Sequence, residues 1–264
     1  MMTPEEIIES NQGKRYLCGV SGGKDSTALA LYLKELKVPV EYYFADTGWE
    51  SVSTLSHLSY LEGVLGQKIT HIYPELDMQS LIKHKRIFPS RRIRYCTELL
   101  KVKPVKKHFS LPDYDIVMCT GERSEESPSR AKKPNFSKDE WMGCHVWLPI
   151  KEWTWQQVFD IAKRHGVRPN PLYLKGYKRV GCYPCIFANK PDYKAFSDDP
   201  ASKDRVNQIR NLEKELNLPW VQLLRESGNV EGIDALLEWA TNGFQEDIFD
   251  TDNFSCSSHY KLCE

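Results

Sequence analysis

The sequence predicts an α/β fold: a parallel sheet of five-stranded type with helices on both faces, followed by a helical carboxyl-terminal appendage. Three observations carry this. Short apolar runs alternate with segments of helical periodicity from Tyr16 to Arg164, the pattern of crossover units that lay strands side by side in a covered sheet. The first run leads through a glycine-containing turn straight into a helix. The 264 residues are 41% hydrophobic and 27% charged, enough to bury one sizeable core with a small subdomain and too apolar for a disordered chain.

In order, Thr3-Pro4-Glu5-Glu6 supplies a cap, a proline at the first helical position and a glutamate at the third, predicting a short helix to about Ser10. Tyr16 to Val20 reads as a buried strand and Ser21 to Ser26 as a polar turn. Thr27 to Lys37 reads as a helix made largely apolar by Ala28, Leu29, Leu31, Leu33 and Leu36. Val40 to Ala45 is a second strand ending in Asp46-Thr47-Gly48; a helix over Val52 to Leu65 and a third strand over Lys68 to Tyr73 follow. Next come a helix near Cys96 to Phe109, a strand over Asp115 to Cys119, a polar loop over Gly121 to Asn135, a strand around His145 to Pro149 and a helix over Thr154 to Arg164. Gly166 to Pro200, rich in Pro, Gly and Tyr, reads as ordered loop, and helices near Lys203 to Leu216 and Val230 to Thr241 complete the pattern. The expected division is a main domain over 1–200 and a helical region with an acidic, cysteine-containing tail over 201–264.

Charge excludes some functions and suggests others. Lysine plus arginine and aspartate plus glutamate both number 36, so no global field draws the protein to nucleic acid or membrane. Local imbalance remains: Lys83 to His108 carries ten lysines and arginines against Glu98 alone, and Glu226 to Glu264 carries nine acids against Lys261. The basic stretch Lys83 to Lys107 reads either as a solvated helix face or as a nucleic-acid contact, which steep salt dependence would reveal. Met1 to Ser10 lacks an apolar signal core, and no apolar run reaches the roughly 18 residues of a membrane span. A soluble, cytoplasmic protein is expected, and an oligomer is compatible with the pattern.

Eight cysteines stand at 18, 96, 119, 144, 182, 185, 256 and 263, too scattered for a disulfide-stapled domain. Cys18 and Cys119 fall in apolar strands and read as core; Cys144, between Gly143 and His145, is a weaker candidate ligand. Cys182-Tyr183-Pro184-Cys185 is a C-x-x-C pair in a turn able to aim two thiolates at one metal. Cys96 follows the arginine-rich stretch and opens a helix, where cations and the helix terminus are expected to lower its pKa.

The sharpest motif is Ser21-Gly22-Gly23-Lys24-Asp25-Ser26-Thr27, between strand and helix. Gly22 and Gly23 allow a tight turn that bares backbone amides, Lys24 adds a cation, and the helix start adds N–H donors at the positive end of its dipole. This is an anion cradle. Its spacing is not Gly-x-x-x-x-Gly-Lys-[Ser/Thr], so the P-loop of γ-phosphoryl transfer is a poor match.

Ser-Gly-Gly-Lys-Asp-Ser resembles the PP-loop of the adenine nucleotide α-hydrolase-like superfamily, which implies that fold and binding of ATP or an adenylyl sulfate. Phe44-Ala45-Asp46-Thr47-Gly48, the segment Gly121-Glu122-Arg123 to Arg130, Leu148-Pro149-Ile150 with Trp153-Thr154-Trp155, and Asn170-Pro171-Leu172-Tyr173 with Gly176-Tyr177 and Gly181-Cys182 resemble the phosphoadenosine phosphosulfate (PAPS) reductase branch. The resemblance runs in order from about Tyr16 to Ala188. It implies that Asp46 and Gly48 meet base and ribose, at the carboxyl edge where open α/β sheets bind ligands. Gly121, Arg123 and Arg130 would meet phosphate or sulfate oxygens as charge-assisted donors. In the iron–sulfur branch of adenylyl-sulfate reductases a similar Cys-Cys…Lys-x-x-Pro segment joins the C-x-x-C in holding a 4Fe-4S cluster; here one cysteine, Cys96, preceded by Tyr95, stands in that segment. Cys96, Cys182 and Cys185 are then three ligands. Cys256 and Cys263 are candidates for the fourth, with zinc the alternative metal.

The implied activity is reduction of an adenine sulfonucleotide. The loop, Lys24 and Arg123 mask the sulfate's charge, a cysteine thiolate attacks sulfur, and a thioredoxin-like or other thiol reductant releases sulfite. The family's terminal Glu-Cys-Gly-Leu-His is absent, leaving Cys263 or Cys256 as the nucleophile. An alternative puts ATP in the same loop, split between its α and β phosphates to adenylate an acceptor for sulfur insertion, as in DNA phosphorothioation or tRNA thiolation. A third is a non-catalytic nucleotide or iron–sulfur sensor.

Overall fold

A computed structural model of the chain describes residues 2–223 and 230–242. Chain order runs α1 (Pro4–Ser10), β1 (Arg15–Gly19), α2 (Lys24–Glu35), β2 (Val40–Ala45), α3 (Val52–Leu65), β3 (Ile69–Ile72) and α4 (Met78–Lys85). A composite helix follows: α5 (Tyr95–Thr97), a π-turn over Glu98–Val102 and α6 (Lys103–His108). Then come β4 (Ile116–Cys119), α7 (Pro128–Ala131), β5 (Phe136–Asp139), β6 (Cys144–Trp147), α8 (Trp155–Arg164), α9 (Pro171–Leu174), α10 (Lys190–Asp198), α11 (Lys203–Leu216), the short ladder of β7 (Gln222–Leu223) with β8 (Val230–Glu231), and α12 (Gly232–Thr241).

The sheet has the order β3-β2-β1-β4-β6-β5. The first five strands are parallel, as expected, and β5 adds a sixth, antiparallel edge strand. Successive side chains of one strand serve opposite cores, the mark of a sheet covered on both faces. Cys18, Tyr42, Val117 and Cys119 pack with Leu29, Leu33, Leu58 and Ile161 of α2, α3 and α8. Leu17, Tyr43, Met118 and Val146 pack with Val102, Val105 and Phe109. A third cluster joins α4, α10, α11 and α12 through Leu81, Phe196, Ile209 and Leu236 around Trp49 and Trp220, so the helical appendage closes over the loop that follows β2.

Four helices exceed the sequence expectation, the short α7 and α9 inside segments read as loop, and the longer α4 and α10. α4 is capped by Asp77, whose carboxylate accepts from Ser80 N–H at 2.7 Å, and it buries Met78, Leu81 and Ile82. α10 lies inside the segment read as loop; Asn189 and Asp192 form a capping box around Pro191, and Tyr193 and Phe196 enter the core. No helix among the described residues is long and apolar enough to cross a membrane.

Candidate active site

Because the central strands are parallel, the loops after β1, β2, β3, β4 and β6 all open at one edge. There the turn after β1 is held by its own hydroxyls. Ser26 Oγ accepts from Ser21 N–H at 3.1 Å and donates to the Gly23 carbonyl at 3.1 Å, while Ser21 Oγ accepts from Gly23 N–H at 3.3 Å. Gly22 sits at φ +77°, a conformation costly for any side chain. Gly23 is the N-cap of α2, which sets the first amides of that helix at the turn. Two residues of the 170–173 segment close on this turn: Asn170 Nδ2 donates to the Gly22 carbonyl at 3.2 Å, and Tyr173 Oη accepts from Lys24 N–H at 3.0 Å.

Lys24 Nζ pairs with Asp25, and Asp25 is in turn held by Arg123, Nε to Oδ1 2.7 Å. Arg123 Nη1 donates to Glu125 at 2.7 Å and to the Trp153 carbonyl at 3.1 Å. The expected phosphate donor thus has its guanidinium turned onto the loop and its neighbours, bracing the cradle. Arg130 is buried and pairs with Glu126 one turn earlier. Gly121, just after β4, backs the cradle: a Cβ there would lie 3.2 Å from the Asp25 backbone carbonyl, a tight contact that glycine avoids. Thr27 is buried in the first turn of α2. Its Oγ1 and that of Thr120 are buried without a protein partner.

After β2, Asp46 Oδ1 accepts from Gly48 N–H at 3.0 Å and Oδ2 lies 3.5 Å from His71 Nδ1. The next residues lead to the cysteines. Thr47 Oγ1 donates to Glu50 at 2.6 Å and lies 3.8 Å from Cys182 Sγ. Glu50 makes a lone antiparallel bridge with Cys182, and Tyr183 N–H donates to the Trp49 carbonyl at 2.7 Å. Burial pushes the Glu50 carboxyl up, against the hydrogen bond from Thr47 and the charge of Lys101.

Cys96, Cys182 and Cys185 line one cleft, together with Thr47, Lys101 and Arg179. The sequence motif therefore brings three thiols from two distant segments to the edge that carries the glycine turn. Phe187 N–H donates to Cys185 Sγ at 3.4 Å. The expectation that Cys96 has a lowered pKa is corrected: burial, then Cys185, pushes it up, and Lys101 and Thr97 only partly oppose this. The reason is where the arginines point. Arg91 donates to the Ile186 and Ala188 carbonyls, and Arg91, Arg94 and Arg179 gather around the Phe187 ring at 6.0, 4.7 and 5.6 Å. Burial also drives Cys182 up, to about 12. Cys18, Cys119 and Cys144 are fully buried in the two sheet cores, and none of the six described cysteines is in a disulfide.

Among the described residues no three His, Cys, Asp or Glu side chains stand where they would hold a single metal ion. The donor set is three thiols from two segments around one cleft, with Phe187 N–H directed at Cys185 Sγ, and thiols are the donors that iron–sulfur clusters take. Cys256 and Cys263 lie outside the described residues. Sequence reasoning missed Thr47, Glu50 and Lys101; the only signal for Lys101 was its place in the Lys-x-x-Pro segment after Cys96.

A family model of the phosphoadenosine phosphosulfate reductase domain matches residues 15–188. An uncharacterized 37.8 kDa protein of Escherichia phage 186 is 35% identical over 248 residues, covering 74% of this chain and 74% of its own length. An adenosine 5′-phosphosulfate reductase of Mycobacteroides abscessus is 30% identical over 186 residues, covering 69% of this chain and 76% of that protein. The crystal structure of a PAPS reductase from Candida auris, a phosphate complex, matches with a TM-score of 0.55 at 18% identity over 69% of this chain and 88% of its own. That likeness is one of fold.

Proposed function

Because this chain belongs to the phosphoadenosine phosphosulfate reductase domain family, we propose that it binds an adenine sulfonucleotide at the glycine turn and reduces it to sulfite. The observation that carries this is the meeting of Cys96, Cys182 and Cys185 in one cleft beside Thr47. Thr47 follows β2, the neighbour of the strand that ends in the glycine turn. A phosphate-binding edge and a thiol-rich cleft thus share one face.

In the proposed reaction, the Gly22 amide, the Thr27 hydroxyl and Lys24 neutralise the phosphosulfate, which also takes over the donors that the Ser21 and Gly23 amides and the Ser26 hydroxyl now spend within the turn, while Asp46 and Gly48 take the nucleoside side. Asp25, Arg123, Arg130 and Gly121 hold the cradle in shape. A cysteine thiolate, Cys263 or Cys256, bonds to the sulfate sulfur as the sulfur–oxygen bond to the α-phosphate breaks, and the mononucleotide leaves with that oxygen and its electron pair. A thiolate of an external dithiol, of thioredoxin type, then attacks the cysteine sulfur. Sulfite leaves with two electrons, and closure of the dithiol to a disulfide restores the cysteine. Cys96, Cys182 and Cys185 would hold a 4Fe-4S cluster, with Cys263 or Cys256 as candidate fourth ligand. When bound, the cluster would tie the Tyr95–His108 helix to the 181–186 turn and set its charge beside the anion.

The alternative reading puts ATP in the same glycine turn. Product analysis separates the two: anaerobically purified protein is given ATP, adenylyl sulfate or its 3′-phosphorylated form with a dithiol. Sulfite and a mononucleotide from either sulfonucleotide support the reductase; AMP and pyrophosphate from ATP alone replace it with acceptor adenylation.

A further inference from the structure

Between the end of β3, α4 and α6 lies a groove of about 770 Å³ that belongs to neither the glycine turn nor the cysteine cleft, and its size is that of a ligand site. Its walls carry Lys85 from α4 and Lys103 and Lys107, one turn apart, from α6; Leu81 and Leu100 form the buried lining. Glu75 is the one carboxylate among the lining residues, and it meets Lys107 at 3.1 Å where both side chains are largely in solvent. Lys103 meets Glu98 at 3.3 Å, with side chains 62% and 39% exposed. Pairs of this kind contribute little and exchange readily for a stronger anion. Elsewhere in the basic stretch Lys83 is paired with Glu215, Lys106 lies over Trp141 and Lys101 lines the cysteine cleft, while Lys85, Lys103 and Lys107 converge on this groove.

Aromatic rings lead into the same groove. Phe44 in the sheet meets His71 edge-on at 5.3 Å, and His71 meets Tyr73 at 6.1 Å with 36° between the planes. Tyr73 ends this series 67% exposed and lines the groove. Cations on two walls, an apolar lining and an open ring together match a strand whose phosphates and bases are both accessible. A duplex hides its bases from such a lining.

We propose that this groove binds single-stranded nucleic acid, with phosphates against Lys85, Lys103 and Lys107 and a base stacked on Tyr73. His71 also touches Asp46, so a strand held here lies beside the proposed nucleoside site, and the binding does not depend on which reaction that site performs.

The test is fluorescence anisotropy of the full chain with labelled 12-residue oligothymidylate and oligouridylate, with duplex and excess ATP as competitors. Three neutralised phosphates imply a single-strand salt slope near −2, so affinity should fall roughly 20-fold between 50 and 200 mM salt. The triple variant Lys85→Gln, Lys103→Gln, Lys107→Gln should flatten that slope and weaken binding at least 30-fold at 50 mM salt. Tyr73→Ala should weaken it at least fivefold with an unchanged slope, and it decides the matter if the triple variant fails to fold. Absence of binding at 50 mM salt, unchanged affinity in either folded variant, preference for duplex, or displacement by ATP would each overturn the proposal.

Discussion

Arg123 and Asp25, 98 residues apart in sequence, meet at 2.7 Å with their side chains only 5% and 4% exposed. Asp25 is the second residue of α2 and also takes Lys24, so one carboxylate ties the loop after β4 to the first turn of the nucleotide cradle. A buried pair of this kind adds little net stability, but removing one partner strands the other. Arg123→Met should therefore cost about 3–5 kcal/mol in urea unfolding and weaken nucleotide binding along with it. Lys24→Met, at a side chain 27% exposed, leaves Asp25 still paired with Arg123 and should weaken nucleotide binding with a smaller loss of stability than Arg123→Met. Adding Asp25→Asn to Arg123→Met should recover more than half of the lost stability; no recovery would mean that Arg123 acts on something other than Asp25.

The Asn170 side chain works at both ends. Its Nδ2 donates to the Gly22 carbonyl, and its Oδ1 accepts from Leu172 N–H at 3.0 Å, capping α9. Asn170→Ala leaves a buried carbonyl unpaired and should cost about 1–3 kcal/mol. Asn170→Asp keeps the cap but sets a buried carboxylate against the same unpaired Gly22 carbonyl, so it should cost at least as much stability and bind nucleotide at least tenfold more weakly by calorimetric titration. Equal affinity in Asn170→Asp and the parent chain would show that the Gly22 carbonyl needs no external tether.

The alternation of strands and helices made the parallel sheet legible, because each buried strand is a short apolar run and each crossover helix a longer periodic one. β5 was not legible: Phe136-Ser-Lys-Asp139 has one apolar residue, and its pairing with Trp147 to Cys144 on β6 is what makes it a strand. For α10, Pro191 and the surrounding glycines suggested loop, although the Asn189 and Asp192 capping signal was present. In the site, the residue types at the glycine turn dictate an anion cradle, whereas the direction of Arg123 depends on where Asp25, Glu125 and the Trp153 carbonyl arrive in three dimensions. The same holds for Cys96. Its neighbours in sequence are cations, but the arginines turn to Phe187 and the thiol meets burial and a second cysteine.

Cys182→Ser tests the thiol cleft directly. If Cys96, Cys182 and Cys185 hold iron, the variant purified anaerobically should carry less than a quarter of the parent's iron and lose its visible absorbance. Cys144→Ala, in the sheet core away from the cleft, should keep both. Full iron in Cys182→Ser would remove the pair as ligands, whatever the activity of either protein.

His57 gives the stability curve a shape that can be worked out in sign. It is buried on α3, and burial, helped by the charge of Arg168, lowers its pKa from 6.5 to about 4. The unfolded chain therefore takes up a proton as pH falls through about 6.5, while the folded chain keeps the ring neutral until about 4. Stability from the neutral ring is complete above that upper value, is lost progressively as pH falls, and levels off below about 4. The loss from this group should be on the order of 2–3 kcal/mol between pH 7 and 4. His57→Gln removes the titration, so its unfolding free energy should fall less steeply than the parent's over that interval. Parallel curves for the two proteins would mean that His57 titrates alike folded and unfolded, and that the pocket it shares with Gly22, Lys24 and Arg168 is open to water.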